Sequence, residues 1–200
     1  MTAQKESVVT PERLAQGISY KEWAEQIDRN QEKFQFNYDA TELNPEDVAA
    51  IKATMAKTGG PATVLALGEA WCPDVVRGMP VIAKLCEATG LDLKIFFRDQ
   101  NLDIMNEFLY KGEFQSVPTL VFFSKDMKQL GAWHERAKKA RDEMPQLSEI
   151  TGKMRNQELS EEERQKYMQE YEAFQQGPVW AAWRDAEVTE VREIFEAATS

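Results

Sequence analysis

The sequence predicts an α/β protein in which a central, mixed four-stranded sheet is flanked by helices, with extra helices at both ends of the chain. Short apolar, β-prone runs alternate with helical patterns through the middle of the chain in the order β-α-β-α-β-β-α. A helical crossover separates the first two strands, which implies parallel pairing. A short polar turn joins the last two strands, which implies an antiparallel hairpin.

Residues 1–43 are predicted to form an N-terminal helical extension. Four large apolar side chains share one side of a 3.6-residue period and predict one helix across them: Tyr20, Trp23, Ile27 and Phe34. The next helix starts the central segment, with Asn44 as its N-cap and Pro45 in its first position. The turn at Gly59-Gly60-Pro61 ends that helix.

The central segment, 44–145, carries the predicted sheet. Its strands run over Thr63 to Leu67, Leu91 to Phe97, Thr119 to Phe123, and roughly Lys128 to Trp133. A long helix is predicted to begin at Pro73 and to end at Thr89-Gly90. Apolar residues in the stretch 102–109 predict a short helix between the second and third strands.

Residues 146–200 are predicted to form a C-terminal helical extension. Ser160 followed by Glu163 has the spacing of a capping box, and Gly177-Pro178 separates two helices that form a hairpin. Large aromatic side chains recur between Tyr167 and Phe195 and need burial. Packing on the core would bury them, and so would a homodimer through the terminal helices.

Composition and charge exclude several classes of function. The net charge of −10 argues against nucleic acid or an anionic membrane as a partner, because both attract a basic patch. The sequence has no run of about 20 apolar residues and no apolar signal segment, so we expect a cytoplasmic protein without a membrane partner. Two cysteines are too few for a disulfide scaffold. With one histidine and no nucleotide motif, we expect no metal and no cofactor.

The feature that carries chemistry is Trp71-Cys72-Pro73-Asp74, where a predicted strand ends and a helix begins. A cysteine at this point lies beside unpaired backbone N–H groups and the positive end of the helix dipole. Both favour the thiolate over the thiol. Because the thiolate is the species that attacks disulfides, Cys72 is a candidate nucleophile. Position alone is equally consistent with a structural cysteine.

The segment 71–75, Trp-Cys-Pro-Asp-Val, resembles the W-C-x-x-C active-site loop of the thioredoxin family, above all its W-C-P-D-C members. Pro80, the stretch Asp99-Gln100-Asn101, and Ser116-Val117-Pro118-Thr119 ahead of an apolar strand are similar to further features of that family. The predicted order of strands and helices is that of the thioredoxin fold. The resemblance covers about residues 44–145 and implies a thioredoxin-like fold with thiol–disulfide exchange as its activity.

The resemblance also implies site residues and partners. Cys72 would be the catalytic residue, Pro118 would follow a cis peptide bond, and the backbone at Val117 would pair with an extended substrate. The implied substrate-binding residues are Trp71, Pro73, Asp74, Val117 and Pro118. The implied partners are protein disulfides or low-molecular-weight thiols.

Two positions depart from the family pattern. Val75 stands where dithiol proteins have the cysteine that resolves the mixed disulfide, and Ala66 stands where they have a buried acid. Cys86 cannot replace the missing cysteine: 14 residues along one helix place it about 20 Å from Cys72, beyond the ~7 Å reach of a disulfide. We expect Cys86 to be buried and inert. Glu69 lies nearby in sequence but is not assigned the role of the buried acid.

Val75, Glu69 and His134 are secondary candidates for the site. His134 follows the last strand, so it is either a base or partner for the Cys72 thiolate or, as we prefer, a half-exposed histidine at a strand end. Arg98 and Arg136 lie at strand ends as well. They would stabilise a thiolate or an acidic ligand, or else be solvated.

Two functions from different classes fit these residues. The first is monothiol thiol–disulfide exchange, or thiol redox sensing, in cell redox homeostasis, with an outside thiol releasing the product. The alternative is a non-catalytic thioredoxin-fold module that binds peptides or proteins and keeps Cys72 for packing or sensing. A third possibility places all function in the helical extensions. We prefer the first, because a Trp-Cys-Pro sequence beside a proline loop exceeds what the fold alone requires.

Overall fold

The four strands form one mixed sheet in the order β2-β1-β3-β4. In the computed structural model, which describes residues 7–200, the strands are β1 (Pro61–Gly68), β2 (Asp92–Phe97), β3 (Thr119–Ser124) and β4 (Gln129–His134). β1 and β2 are parallel, while β3 is antiparallel to both β1 and β4. The predicted α/β class, the parallel crossover and the terminal hairpin are therefore all confirmed.

Residues 7–200 also form nine α-helices and one 3-10 turn, Arg98–Gln100. The helices are α1 (Pro11–Leu14), α2 (Tyr20–Gln26), α3 (Gln31–Asp39), α4 (Pro45–Met55), α5 (Pro73–Thr89), α6 (Leu102–Met105), α7 (Lys138–Met154), α8 (Glu161–Gln176) and α9 (Pro178–Ala198). α6 is shorter than the helix predicted over 102–109. The first six residues, part of the predicted N-terminal extension, lie outside the described residues.

Helix α5 positions the candidate site, and it begins and ends where the sequence predicts. Pro73 occupies its first position, where the missing N–H costs nothing, and Cys72 is the extended N-cap residue. At the other end Gly90 takes the left-handed conformation, with φ of 89°, which glycine adopts without steric cost. The helix packs against α3, α4 and α9, so nearly all of its side chains are buried.

The single helix predicted across Tyr20–Phe34 is wrong, because the chain forms α2 and α3 with a break between them. Asn30 stands in the break with φ of 60°, and its side-chain amide donates a hydrogen bond to the carbonyl of Ala70, 2.8 Å away. The break lets Trp23 and Phe34 meet edge to face, with ring centroids 4.9 Å apart. Tertiary packing and this long-range hydrogen bond therefore override the local helical period.

Both helical extensions belong to the packed body of the protein. Trp23 and Phe34 from the N-terminal helices lie in the same hydrophobic core as the sheet, and Phe195 of α9 packs edge to face on Phe122 of β3 at 4.8 Å. A smaller cluster joins α7 to α9 through Leu147 and Trp183. The predicted boundary between 145 and 146 falls inside α7, so the backbone offers no linker there.

Candidate functional site

Cys72 lies at the N-terminus of α5, with 8% of its surface exposed. Its backbone N–H donates to the carbonyl of Glu69, so a tight turn delivers the residue from β1 to the helix. The thiol donates a hydrogen bond to the carbonyl oxygen of Val117, 3.4 Å away. The Val117–Pro118 peptide bond is cis, as the resemblance implies. The fold thus brings the cysteine turn and the proline loop together.

Burial raises the pKa of the Cys72 thiol, and this effect outweighs the stabilising contacts at the helix terminus. Backbone N–H groups of Val75 and Asp74 lower the pKa, as does the charge of Arg136. The carboxylate of Asp74 adds to the increase. The sequence-based expectation of a thiolate favoured by the helix N-terminus is therefore corrected. The free energy of hydration that a buried thiolate loses is larger than the stabilisation that the helix N-terminus provides.

A cavity of about 670 Å³ opens beside Cys72. One wall consists of Trp71–Asp74 together with residues 114–117 before β3. The C-terminal helices contribute a further part of the lining, with Met144, Leu147, Ser148, Thr151, Tyr171 and Trp180. The sequence left open whether the C-terminal extension covers the site, and the structure shows that it walls the site on one side.

Two exposed aromatic side chains lie at this cavity. Trp71 is 48% exposed and Phe114 is 51% exposed, which is unusual for residues of this size. The guanidinium of Arg98 lies over the indole of Trp71, 5.5 Å from the ring centroid, and holds the ring in place. The two rings offer an apolar contact surface next to the sulfur, as expected for Trp71 and not foreseen for Phe114.

Asp74 is fixed by two arginines. It accepts from Nη1 of Arg77 at 2.8 Å and from Nη2 of Arg136 at 2.5 Å. Arg77 is 1% exposed and lies over the rings of Trp180 and Trp183, at 5.3 and 5.7 Å. Sequence reasoning missed Arg77, although its spacing of three residues from Asp74 on one helix is the available signal.

Glu187 of α9 is a second buried acid that sequence reasoning missed. It is fully buried and packs against the backbone of α5 at Gly78, where an added Cβ would lie 2.8 Å from Oε1 of the carboxyl group. Burial raises the pKa of Glu187 to about 8, with the charge of Arg77 acting in the opposite direction. No local pattern reveals this contact, because α9 follows α5 by some hundred residues.

The secondary candidates do not line the cavity. Nδ1 of His134 lies 2.9 Å from Oγ1 of Thr119, and burial lowers the pKa of its ring. Glu69 accepts the backbone N–H of Asp99 at 2.7 Å and so ties two loops together. Val75 is fully buried beneath the site. The contacts described for these three residues are thus with neighbouring parts of the protein, and none of the three borders this cavity.

Cys86 lies in the last turns of α5, fully enclosed, and burial raises the pKa of its thiol. This placement agrees with the expected inert residue. Within residues 7–200, no three His, Cys, Asp or Glu side chains are grouped so as to hold a metal ion. In that same stretch, no helix has both the length and the apolar character needed to cross a bilayer.

Comparison with known proteins places this geometry in a family. A protein-family model described as thioredoxin matches residues 17–151. Among solved structures, a protein of unknown function from Pseudomonas aeruginosa is similar with a TM-score of 0.64 and 14% identity, covering 95% of this chain and 99% of that one.

An HIV epitope scaffold is similar with a TM-score of 0.60 and 15% identity, covering 94% of this chain and 99% of the scaffold. At such identities the likeness concerns the fold alone. No curated protein matches the sequence. The thioredoxin family model nevertheless spans more than half of the 200 residues, including both the Cys72 turn and the Pro118 loop. The chain therefore belongs to the thioredoxin family.

Proposed function

We propose that the cavity beside Cys72 is a site of one-step thiol–disulfide exchange, in which Cys72 is the only reacting group of the chain. The observation that carries this proposal is the placement of its sulfur. The sulfur lies at the wall of a cavity of about 670 Å³, at the N-terminus of a helix whose first N–H groups face it. A disulfide bound in the cavity is within reach of the one thiol that borders it.

The exchange needs a single bond change. The Cys72 thiolate attacks one sulfur of a disulfide, the sulfur–sulfur bond breaks, and the departing thiolate takes up the proton that Cys72 gave to solvent. Val75 carries no thiol, so nothing on the first turn of α5 can attack the mixed disulfide. The adduct therefore persists until an outside thiol removes it. A reducing, cytoplasmic setting belongs to this proposal, because such a compartment supplies that thiol.

The raised pKa of Cys72 limits the rate of this exchange at neutral pH without opposing its product. Burial disfavours the charged thiolate, whereas a mixed disulfide is uncharged at the sulfur and incurs no such penalty. The mixed disulfide at Cys72 would therefore form slowly and persist. These properties fit a thiol that senses the redox state of its surroundings better than they fit a reductase that acts on many substrates in turn.

A second candidate is a binding module without exchange chemistry. The raised pKa of Cys72 and the two exposed rings, Trp71 and Phe114, favour it. An apolar peptide side chain would bury both rings on binding. In this case replacing Cys72 would leave binding unchanged.

Mass spectrometry of the intact protein after reaction with 2-hydroxyethyl disulfide tests the exchange. We expect one adduct at pH 8 that forms in the Cys86→Ser variant, is absent from Cys72→Ser, and survives until dithiothreitol is added. A Cys72 that remains unmodified in the folded protein would overturn the exchange proposal. That result would leave the binding module, which the change in tryptophan fluorescence on adding apolar peptides would then test, with Trp71→Phe as the control for the other tryptophans.

A further inference from the structure

We infer that the substrate of this cavity is an anion, namely a low-molecular-weight disulfide that carries carboxylate groups. This inference rests on the proposed exchange at Cys72 and names the substrate class of that same site. It stands on the charges that line the cavity, on hydrogen-bond donors there without acceptors, and on the wall that closes one side.

The cavity is locally cationic in an acidic chain. Its lining includes three guanidinium groups and two carboxylates, those of Arg77, Arg136, Arg155, Asp74 and Glu135. The whole chain, by contrast, has a net charge of −10. An excess of positive charge in a concave site raises the local concentration of anions and sets the sign of the ligand.

Donors at this site outnumber acceptors. The carboxylate of Asp74 serves both Arg77 and Arg136, and Arg136 has a second, longer ion pair with Glu135 at 4.0 Å. Among residues 7–200, Nε and Nη2 of Arg77 and Nε of Arg136 have no hydrogen-bond acceptor, although all three atoms are buried. The guanidinium of Arg77 lies over the rings of Trp180 and Trp183 and interacts with the buried carboxyl of Glu187, so its free N–H groups face groups of the protein itself. Buried N–H groups normally have partners, so the missing acceptor at Nε of Arg136 points to a group that the protein does not itself supply. A ligand carboxylate is an acceptor of the right charge.

Glu187 does not neutralise Arg77. Its carboxyl group packs against Gly78, and within residues 7–200 neither of its oxygens accepts a hydrogen bond. Because burial raises its pKa to about 8, the group is mainly uncharged at neutral pH. At neutral pH the positive charge of Arg77 is therefore balanced mainly by Asp74, which also pairs with Arg136.

Arg155 supplies an accessible cation at the same cavity. It caps the C-terminal end of α7, is exposed, and forms no ion pair with any other residue in the described part of the chain. Its guanidinium is free to meet a ligand carboxylate while the ligand disulfide lies toward Cys72. We assign Arg155 a positioning role in that encounter.

The wall formed by α7, α8 and α9 favours a small molecule over a protein segment. Leu147, Tyr171 and Trp180 of these helices border the cavity together with Cys72, so part of its border is closed by the chain itself. The volume of about 670 Å³ lies within the range of roughly 300–1,000 Å³ that is typical of small-molecule sites.

The exchange step needs no reactant other than Cys72 and the substrate disulfide. Cys72 forms a disulfide bond with one half of the anionic disulfide, the original sulfur–sulfur bond breaks, and the other half leaves as a thiol that carries the Cys72 proton. The disulfide is the oxidant, so no further reactant enters.

The test compares two disulfides on the full chain carrying Cys86→Ser. Glutathione disulfide bears carboxylates on both halves, and 2-hydroxyethyl disulfide is uncharged. We expect Arg155→Gln to slow adduct formation with glutathione disulfide by about two- to five-fold at low salt, and to leave the uncharged reagent unaffected. Arg164→Gln removes an exposed charge from α8 outside the cavity and should change neither rate. Salt at 0.5 M should abolish the difference.

The outcomes separate the two proposals. If Arg155→Gln has no effect, or slows both reagents equally, or is matched by Arg164→Gln, the anionic substrate class is wrong while exchange at Cys72 stands. If neither reagent modifies Cys72, the exchange itself fails, and the inference built on it fails as well.

Discussion

The thiol of Cys72 donates a hydrogen bond to the carbonyl oxygen of Val117, 3.4 Å from the sulfur. Only the protonated thiol has a hydrogen to give, and ionisation would place a negative sulfur against a carbonyl oxygen. Because the side chain is also buried, both the contact and the loss of hydration favour the neutral form. The ionisation of this cysteine is therefore decided by its surroundings more than by its place at a helix N-terminus.

The first prediction concerns the pH dependence of alkylation at Cys72. With Cys86→Ser as background, we expect the rate of reaction with iodoacetamide to have a midpoint above the ~8.5 of a free cysteine. Asp74→Asn should lower the midpoint, because the Asp74 carboxylate raises the pKa of the thiol. Mass spectrometry over a pH series measures both. A midpoint below 8 in the unsubstituted site would contradict the effect of burial.

The second prediction restores a resolving thiol. In Val75→Cys the new thiol would lie on the first turn of α5, where the backbone N–H of residue 75 already faces the Cys72 sulfur. We expect the mixed disulfide at Cys72 to be released without added thiol, leaving an internal disulfide. Val76→Cys, one residue further along and also buried, is the matched control and should keep the adduct. Equal adduct lifetimes in both variants would contradict the placement of residue 75 within reach of the Cys72 sulfur.

The third prediction tests whether the N-terminal helices belong to the cooperative unit. Trp23 is fully buried and contacts Phe34 and Phe97, so Trp23→Ala should lower the free energy of unfolding by about 3–5 kcal/mol. Phe36→Ala, at a side chain 38% exposed, should cost less than about 1 kcal/mol. Urea unfolding followed by circular dichroism measures both. An early, separate transition for the N-terminal helices would show that they fold independently.

The fourth prediction follows from Glu187. Its pKa rises from 4.5 to about 8 on folding, so between these values the folded state holds a proton that the unfolded state has lost. The stability that this group contributes therefore falls as the pH rises from about 4.5 to 8, and is constant above that range.

Glu187→Gln cannot ionise and should escape this loss. We expect the variant to gain stability relative to the unsubstituted protein as the pH rises from 5 to 8, by at most about 4 kcal/mol. Urea unfolding at several pH values measures the difference, and Glu193→Gln, at an exposed position of the same helix, serves as the control. A difference that is constant with pH would mean that Glu187 is already charged in the folded protein.

Residues that mark the ends of helices made the bounds of several helices predictable. Proline, glycine and capping residues act through their own backbone, so α5 begins at Pro73 and ends before Gly90 as the sequence predicts. The capping box of Ser160 and Glu163 likewise marks the start of α8. By contrast, the break at Asn30 depends on a hydrogen bond to Ala70, which lies forty residues away and leaves no mark in the helical period.

The candidate site divides in the same way. The sequence by itself determined the α/β class, the parallel pairing of the first two strands and the antiparallel hairpin of the last two, because periodicity and turn residues are local signals. The family motifs implied in addition that a cis proline, Pro118, belongs to the site of Cys72. Only the tertiary structure decided that Arg77 and Glu187 lie behind the site and that α7 to α9 wall it. It also decided that the pKa of Cys72 is raised. The loss of hydration and the charges around a buried group depend on segments that are distant in sequence. The pKa of such a group can therefore be predicted only once the packing is known.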